Sequence, residues 1–478
     1  MWEGTGMLPG GVLDKFIERC PAAVMVRATV ERLLRPERLD EIFAAHRSRQ
    51  SEREIVCSEL VALMVGVATR THQSVPASYL AAQKTLGVSA AAVYGKLACF
   101  EPRVTAALVR DTAVDMAEVI AAMPQGRRRV LPGREVFYLD GNHLAATEHR
   151  LKVLRTTREG PLPGQTLALL DAQSERVVEL IPCECGHAQE RSLLPELLER
   201  IRADTVLVAD RNFCTTRFLF GLFRRGAFFI IRQHASTLTL RFEGRRRKIG
   251  RCETGTLYEQ TLVLTDVNAA EGEEPELKVR RITLQLDTPT QAGDGEIHLL
   301  TNLPVKVSAK RVAETYRLRW TIEGAFQTLT DVLRCEVETR GYPQAALFSF
   351  AMAVLAWNAY AVVQAALRST HGEQKIDNEL SDEHFIRDVV LTQTGMDIAV
   401  DPATGEHYRT LPPTRFAQTL ERLAKQIDLK RYPKHKRGPK KPRPKQTSGQ
   451  KNHHVSTAKL LAKKKLKQTA SKTPKQRP

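Results

Sequence analysis

Apolar positions recur every three to four residues through VRATVERLL, ELVALMVGVA and ALVRDTAVDMAEVI, a spacing that predicts helices from about Gly11 to Met123. Within them, Leu86 to Phe100 contains a short turn at Gly87 to Ser89, with Ser89 placed to cap the following helix. That pattern fits a DNA-reading helix-turn-helix and equally a plain helical hairpin. After a basic linker, QGRRRVLPGR, the period shortens. Val136 to Leu139 forms an apolar run ending at Asp140, and TLALLDA and RVVELIPC follow as strand candidates. An amphipathic helix over about Ala188 to Arg202 leads into the strand TVLVA, which ends at Asp210. A helix near Thr216 to Arg225 and the strand AFFIIR come next. Strands interleaved with helices of this length predict a mixed α/β sheet.

From about Gln233 to Gly295 the pattern becomes the strict alternation of TLTLRF, LYEQTLVL and RRITLQL, separated by Gly, Asp, Pro and Glu. Helices over about Ser308 to Arg334 and Gln344 to Arg368 follow. The second approaches membrane-span length between Ala345 and Leu367, but Ser349, Asn358 and Gln364 interrupt it, which predicts a buried helix and no membrane association. These changes divide the chain into a helical, DNA-binding N-terminal domain (1–130), a catalytic α/β domain in two pieces (131–232 and 296–370), a β-rich insertion (233–295), a C-terminal helical region (371–429) and a basic tail (430–478).

Charge sharpens the last boundary. Of the 72 Lys and Arg, 18 fall after position 429, where no Asp or Glu occurs, so the tail carries the whole formal net charge of +18. With so little apolar content the tail is expected to be disordered, and its natural partner is a polyanion, nucleic acid before lipid. The first residues lack the basic start and apolar run of a signal peptide. The eight cysteines are scattered as reduced thiols of a cytosolic protein usually are; Cys183, Cys185 and His187 cluster, but no further pair completes a zinc site.

Candidate chemistry lies in three places. Tyr316, Arg319 and Glu323, in YRLRWTIE, are three and seven residues apart and share one face of the predicted helix. An ordinary Arg–Glu surface pair would look the same. Asp140 and Asp210 each end a buried strand, where adjacent strands can bring two acids together, although a turn or cap accounts for either one alone. Three such carboxylates would suit Mg²⁺ and the nucleotidyl transfer that paired ions support.

LDGNHL around Asp140, VLVADRNF around Asp210 and the Tyr-Arg-Glu spacing, in that order, resemble the DDE transposases of bacterial insertion sequences, specifically the insertion-sequence-4 family; the likeness covers roughly residues 8 to 370. The resemblance implies a ribonuclease-H-like catalytic domain interrupted by a β-rich insertion. Asp140, Asp210 and Glu323 would be the catalytic acids, binding two Mg²⁺, or Mn²⁺ in their place. Tyr316 and Arg319 would hold a backbone phosphate. The implied partners are double-stranded DNA, as terminal inverted repeats and target, and a second copy of the chain. The implied location is the bacterial cytoplasm, on the nucleoid. The family carries a Lys seven residues after the Glu, where this chain has Thr330; Arg334, on the same face of a continuous helix, is expected to substitute in part. In the insertion, Arg245, Arg246, Arg247 and Lys248 could track a DNA backbone or form a solvated hairpin tip. Tyr258 is the candidate for stacking on a base, or else a core aromatic. Other readings of the same features are a structure-specific nuclease without transfer activity and a DNA-binding regulator with an inactive catalytic domain.

Overall fold

The computed structural model describes residues 11–434 except 51–54, 145–163, 187, 235–237, 291–292, 336, 338–341 and 402. Seven helices come first: α1 (Val12–Arg19), α2 (Pro21–Leu33), α3 (Pro36–His46), α4 (Cys57–Ala68), α5 (Val75–Leu86), α6 (Ala90–Ala98) and α7 (Pro102–Ala121). Proline opens α2, α3 and α7, where its fixed φ suits the first turn and its missing N–H costs no hydrogen bond. Ser89 caps α6 as expected, accepting from Ala92 N, and Gly87 takes the left-handed conformation (φ 64°) that ends α5.

The centre of the molecule is one nine-stranded mixed sheet. Its strands are β1 (Val136–Leu144), β2 (Gly164–Asp171), β3 (Val177–Cys183), β4 (Val206–Ala209), β5 (Phe228–Arg232), β6 (Thr239–Cys252), β7 (Gly255–Thr265), β8 (Glu276–Leu286) and β9 (Glu296–Thr301), in the order β3-β2-β1-β4-β5-β9-β8-β7-β6. β1, β4 and β5 run parallel and all other pairs are antiparallel. The alternating stretch after Gln233 therefore builds no separate sheet. It adds β6 to β8 onto β5 through β9, and hydrogen bonding runs unbroken across the boundary expected at 295/296.

Helices α8 (Leu194–Arg200) and α9 (Thr216–Arg224) cover one face, packing Leu197, Phe218 and Leu222 with Leu139, Leu207 and Phe229. The opposite face presents Tyr138, Val208 and Ile230 to a larger core, which also holds residues of α10 (Ala309–Arg317), α11 (Trp320–Asp331) and α12 (Pro343–His371). Helix α12 is long and apolar enough to cross a membrane, yet every residue from Ala345 to Arg368 is buried within the fold. Its polar interruptions do specific work. The Asn358 amide bonds both the N–H and the C=O of Val177 at 2.8 Å, and Trp357 donates to Glu175 O, so α12 satisfies the start of edge strand β3. Helices α13 (Glu373–Glu379), α14 (Asp382–Ala399), α15 (Ala403–Thr410) and α16 (Pro413–Ala424) return to pack on α2, α7 and α12.

Two expected boundaries are drawn differently by the packing. The basic stretch 125–134 is docked rather than loose: Arg128 pairs with Glu175 (2.7 Å) and Asp377 (2.6 Å), joining the sheet to α13. The stretch assigned to the tail begins with residues that belong to the fold, since Tyr432 is buried and Lys434 N donates to Glu379 O at 2.7 Å. Through Lys434 the chain forms one compact unit; the rest of the expected tail lies outside the described residues.

Candidate active site

The register of the sheet brings the two aspartates together. The parallel ladder between β1 and β4 ends at Leu139 opposite Ala209, so Asp140 and Asp210 are the next residues on neighbouring strands, whose spacing is about 4.8 Å. Side chains alternate along extended backbone, so both acids follow Tyr138 and Val208 toward the α11 face. Asp210 remains extended (φ −77°, ψ −179°) and accepts from Asn212 N at 2.8 Å. One expectation needs correcting here: Asp140 does not end its strand, because β1 continues to Leu144 by pairing with β2. Only its pairing with β4 stops there, and that suffices to open the site.

Glu323 lies in the first turn of α11. The helix expected from Ser308 to Arg334 is two helices, α10 and α11, with a turn at Leu318 and Arg319. The turn sets Arg319 between the acids. Its Nη1 donates to Asp140 Oδ2 at 3.0 Å and its Nη2 to Glu323 Oε1 at 2.5 Å, with the side chain only 8% exposed. Trp320 turns outward, 63% exposed, and Ile322 inward. Tyr316 is half-buried near Arg319; burial pushes its phenol above the ordinary range, against the pull of the guanidinium. Sequence spacing thus places Tyr316, Arg319 and Glu323 correctly as a group, although the helix carrying them is not continuous.

The electrostatics mark this as a place of crowded negative charge. Burial pushes the Asp140 carboxyl up to about 6, with Asp210 and Glu323 adding to the shift and Arg319 and the Gly141 N–H opposing it. The Arg319 guanidinium bonds two of these carboxylates, Asp140 and Glu323. That donor set, hard oxygens with surplus negative charge, fits a divalent cation. In the protein alone Arg319 holds two of the acids, and among the described residues no three acidic, His or Cys side chains converge at ligand distance. His187 of the Cys183–Cys185–His187 cluster lies outside the described residues.

Glu190 escapes sequence reasoning. Its carboxylate accepts from Asn212 Nδ2, two residues after Asp210, stands 3.8 Å from His143 Nε2, and lies against Gly141, the residue after Asp140. A Cβ at Gly141 would meet Glu190 Oε1 at 2.0 Å. Glu190 thus clasps the two strand ends from the face opposite the acids, beside a cleft of about 400 Å³ lined by His143, Gln189, Arg191 and Asn212. Gly141 inside a strand was the available signal, since such a glycine often marks close approach.

The expected basic contacts are spread out. Arg245, Arg246, Arg247 and Lys248 lie within edge strand β6, across a register shift, and not at a hairpin tip. Arg246 stacks on the Tyr258 ring at 4.0 Å and pairs with Glu296, so Tyr258 is neither a core aromatic nor an open stacking surface. Arg280 secures the insertion to the approach of α10, bonding Glu259 at 2.5 Å and the carbonyls of Leu303, Pro304 and Val307. A cavity of about 460 Å³ at the same junction is lined by Arg211, Arg232, Arg281, His234 and His298 with Asp294 and Glu296. Thr330 bonds back to Phe326 O within its own helix. Arg334 does not extend the face of α11, which ends at Asp331; it is drawn instead to the N-terminal helices, where its N–H donates to Ala68 O and its Nη1 to Gln73 O.

Residues 133–359, from the approach to β1 into α12, match the family model described as the transposase DDE domain. Among solved structures the chain is similar to the cryo-EM structure of a piggyBac transposase synaptic complex with hairpin DNA, at 12% identity and a TM-score of 0.34 over 81% of this chain and 84% of that one. No curated protein sequence matches. Residues 133–359 thus form a transposase DDE domain, and the enzyme is of the DDE type.

Proposed function

We propose that this DDE-type transposase excises its element by cutting double-stranded DNA at the terminal inverted repeats and then joins the freed ends to target DNA. The observation that carries this is the approach of Asp210 and Glu323 to Asp140, with Arg319 bonded to both Asp140 and Glu323, from segments far apart in sequence. The strand order, with β1, β4 and β5 parallel and Asp140 and Asp210 just past the end of the β1–β4 ladder, supports a ribonuclease-H-like catalytic domain. The motif order supports membership of the insertion-sequence-4 family, and with it a bacterial, nucleoid-bound enzyme that acts as a homodimer.

Enzymes of this type use divalent metal ions. Asp140, Asp210 and Glu323 would hold them, two Mg²⁺ in our reading, and the ions would supply activation of the attacking oxygen and charge stabilisation at the leaving oxygen. The chain's own residues do the rest by positioning. A water oxygen attacks the phosphorus in line and the bond to the 3′ oxygen breaks, leaving a 3′-hydroxyl. That hydroxyl then attacks a second phosphodiester and displaces its 3′ oxygen as a hydroxyl: in the opposite strand this gives a hairpin end, which a further water reopens to restore the 3′-hydroxyl, and in the target it joins the end. Arg319 and Tyr316, beside the acids, are the groups within reach of the phosphate, and a guanidinium can grip it by two oxygens. The cavity bearing Arg211, Arg232 and Arg281 next to Asp210 gives the DNA a cationic wall, and the exposed guanidinium groups of β6 extend it. Because Thr330 bears no charge, hairpin formation is the step most dependent on Arg319 alone.

Alanine at Asp140, Asp210 or Glu323 should abolish strand cleavage of a duplex bearing the element's end while leaving end binding within about twofold. Cleavage retained by any one of the three would sink the assignment. Strand transfer from precut ends into a plasmid separates a transposase from a nuclease.

A further inference from the structure

Where the N-terminal helices meet the segment following α11, two guanidinium groups lie near each other with no carboxylate paired to either among the described residues, which do not include Glu336 and Glu338. Arg334 donates its backbone N–H to Ala68 O at 2.8 Å and its Nη1 to Gln73 O, while Arg70, in the loop after α4, donates Nε to Val332 O at 2.7 Å. These three bonds lace residues 68–73 to 332–334. Each arginine is satisfied by carbonyl oxygens, which orient the group and leave its charge unspent. Among the described residues no Asp or Glu forms an ion pair with either. Burial holds the Arg70 guanidinium below its ordinary range, and the positive charges of Arg334 and of Arg387 on α14 push it the same way. Arg70 also has a left-handed backbone (φ 60°), a conformation that side-chain-bearing residues keep only when the surroundings enforce it and that gathers at ligand clamps. A protein that holds like charges together in this way gains most from an anion between them.

We propose that Arg70 and Arg334 together grip one backbone phosphate of the DNA that the active site cuts. The proposal rests on the reading of the chain as a DNA transposase. The two forks suit the planar, bidentate recognition of a phosphate. Their place also sets where that phosphate lies. At 1.5 Å per residue the end of α11 at Asp331 is about 12 Å from Glu323, and Arg334 lies just beyond it. At about 3.4 Å of duplex axis per nucleotide, a phosphate held there is a few base pairs from the cleaved bond when the duplex follows α11. Contact there would tie the N-terminal helices and the catalytic acids to the same piece of DNA.

The test uses the full chain. Binding of a mixed-sequence duplex is measured against salt for the wild type, for Arg70→Ala/Arg334→Ala, and for Arg334→Gln, which keeps an N–H for Gln73 O but no charge. Losing one phosphate contact should lower the slope of log K on log salt by about 0.9 in the double variant. The glutamine variant should bind several-fold more weakly at low salt, with an unchanged melting temperature. A scan of single methylphosphonates along the end duplex should weaken the wild type at one position a few pairs from the cut and leave the double variant indifferent there. An unchanged slope in a double variant that melts like the wild type would overturn the proposal, as would unchanged affinity in a folded glutamine variant. So would a wild-type scan without that position. Loss of slope in a protein that never cuts the element's ends would instead refute the transposase reading and leave the anion site standing.

Discussion

Replacing Asp140 with Asn should stabilise the protein, by an amount that grows with pH. Burial and the neighbouring acids push the Asp140 carboxyl from 3.8 up to about 6. Between those values the unfolded chain has released the proton and the folded chain still holds it, so stability falls as pH rises through that window and is level above it. A shift of about two units corresponds to about 3 kcal/mol. The carboxyl keeps 20% of its exposure, so water screens part of the cost, and a difference of about 1 to 3 kcal/mol is expected. Asn mimics the protonated acid and should escape the cost. Urea titrations of both proteins without divalent cation, at steps between about pH 4 and pH 8, give the difference directly. It should be near zero at the acid end and reach its full value above about pH 6. A gap independent of pH, or one that shrinks as pH rises, would refute the charge-crowding argument. Mg²⁺ in the same buffers should raise the midpoint of the wild type at neutral pH and leave that of Asp140→Asn nearly unchanged.

Gly141→Ala should push Glu190 off Asn212 and slow end cleavage at least about tenfold with end binding intact; cleavage at the wild-type rate would show that the clasp is idle. Arg280→Met strips Glu259, whose side chain is 12% exposed, of its partner and should cost up to about 3 kcal/mol in urea unfolding. Glu259→Gln in the same chain should recover much of that loss, and no recovery would mean that the carbonyl contacts of Arg280, not the ion pair, carry the effect. Truncation after Lys434, which spares the packed Tyr432, should flatten the salt dependence of DNA binding without loss of melting temperature; an unchanged slope would show that the basic tail does not meet DNA.

Much of the site was legible because each part had a local signal. Asp140 and Asp210 follow apolar runs, and Glu323 stands at a fixed spacing from Tyr316 and Arg319. The break between α10 and α11 had no such signal, for TYRLRWTIE contains neither Gly nor Pro. There the site itself overrides helix propensity, with Arg319 drawn between Asp140 and Glu323. The same break, with the early end of α11, explains why extrapolating one helix to Arg334 failed. The continuity of β5, β9 and β8 was also hidden, because alternation reports strands and not which strands pair. Glu190 acts through contacts from two other segments, and nothing in its own neighbourhood announces them.

The unbroken sheet has a mechanical consequence. From β4, which leads to Asp210, to β6, which carries the basic run, there are five ladders and no hinge, so at about 4.8 Å per strand the two are held roughly 24 Å apart. An insertion tethered by loops would swing and let DNA slide; one riveted by hydrogen bonds works as a gauge. On the proposed reading, the length of duplex between the acids and the basic run of β6 is set by the number of strands, and lengthening or deleting a hairpin would change it in steps.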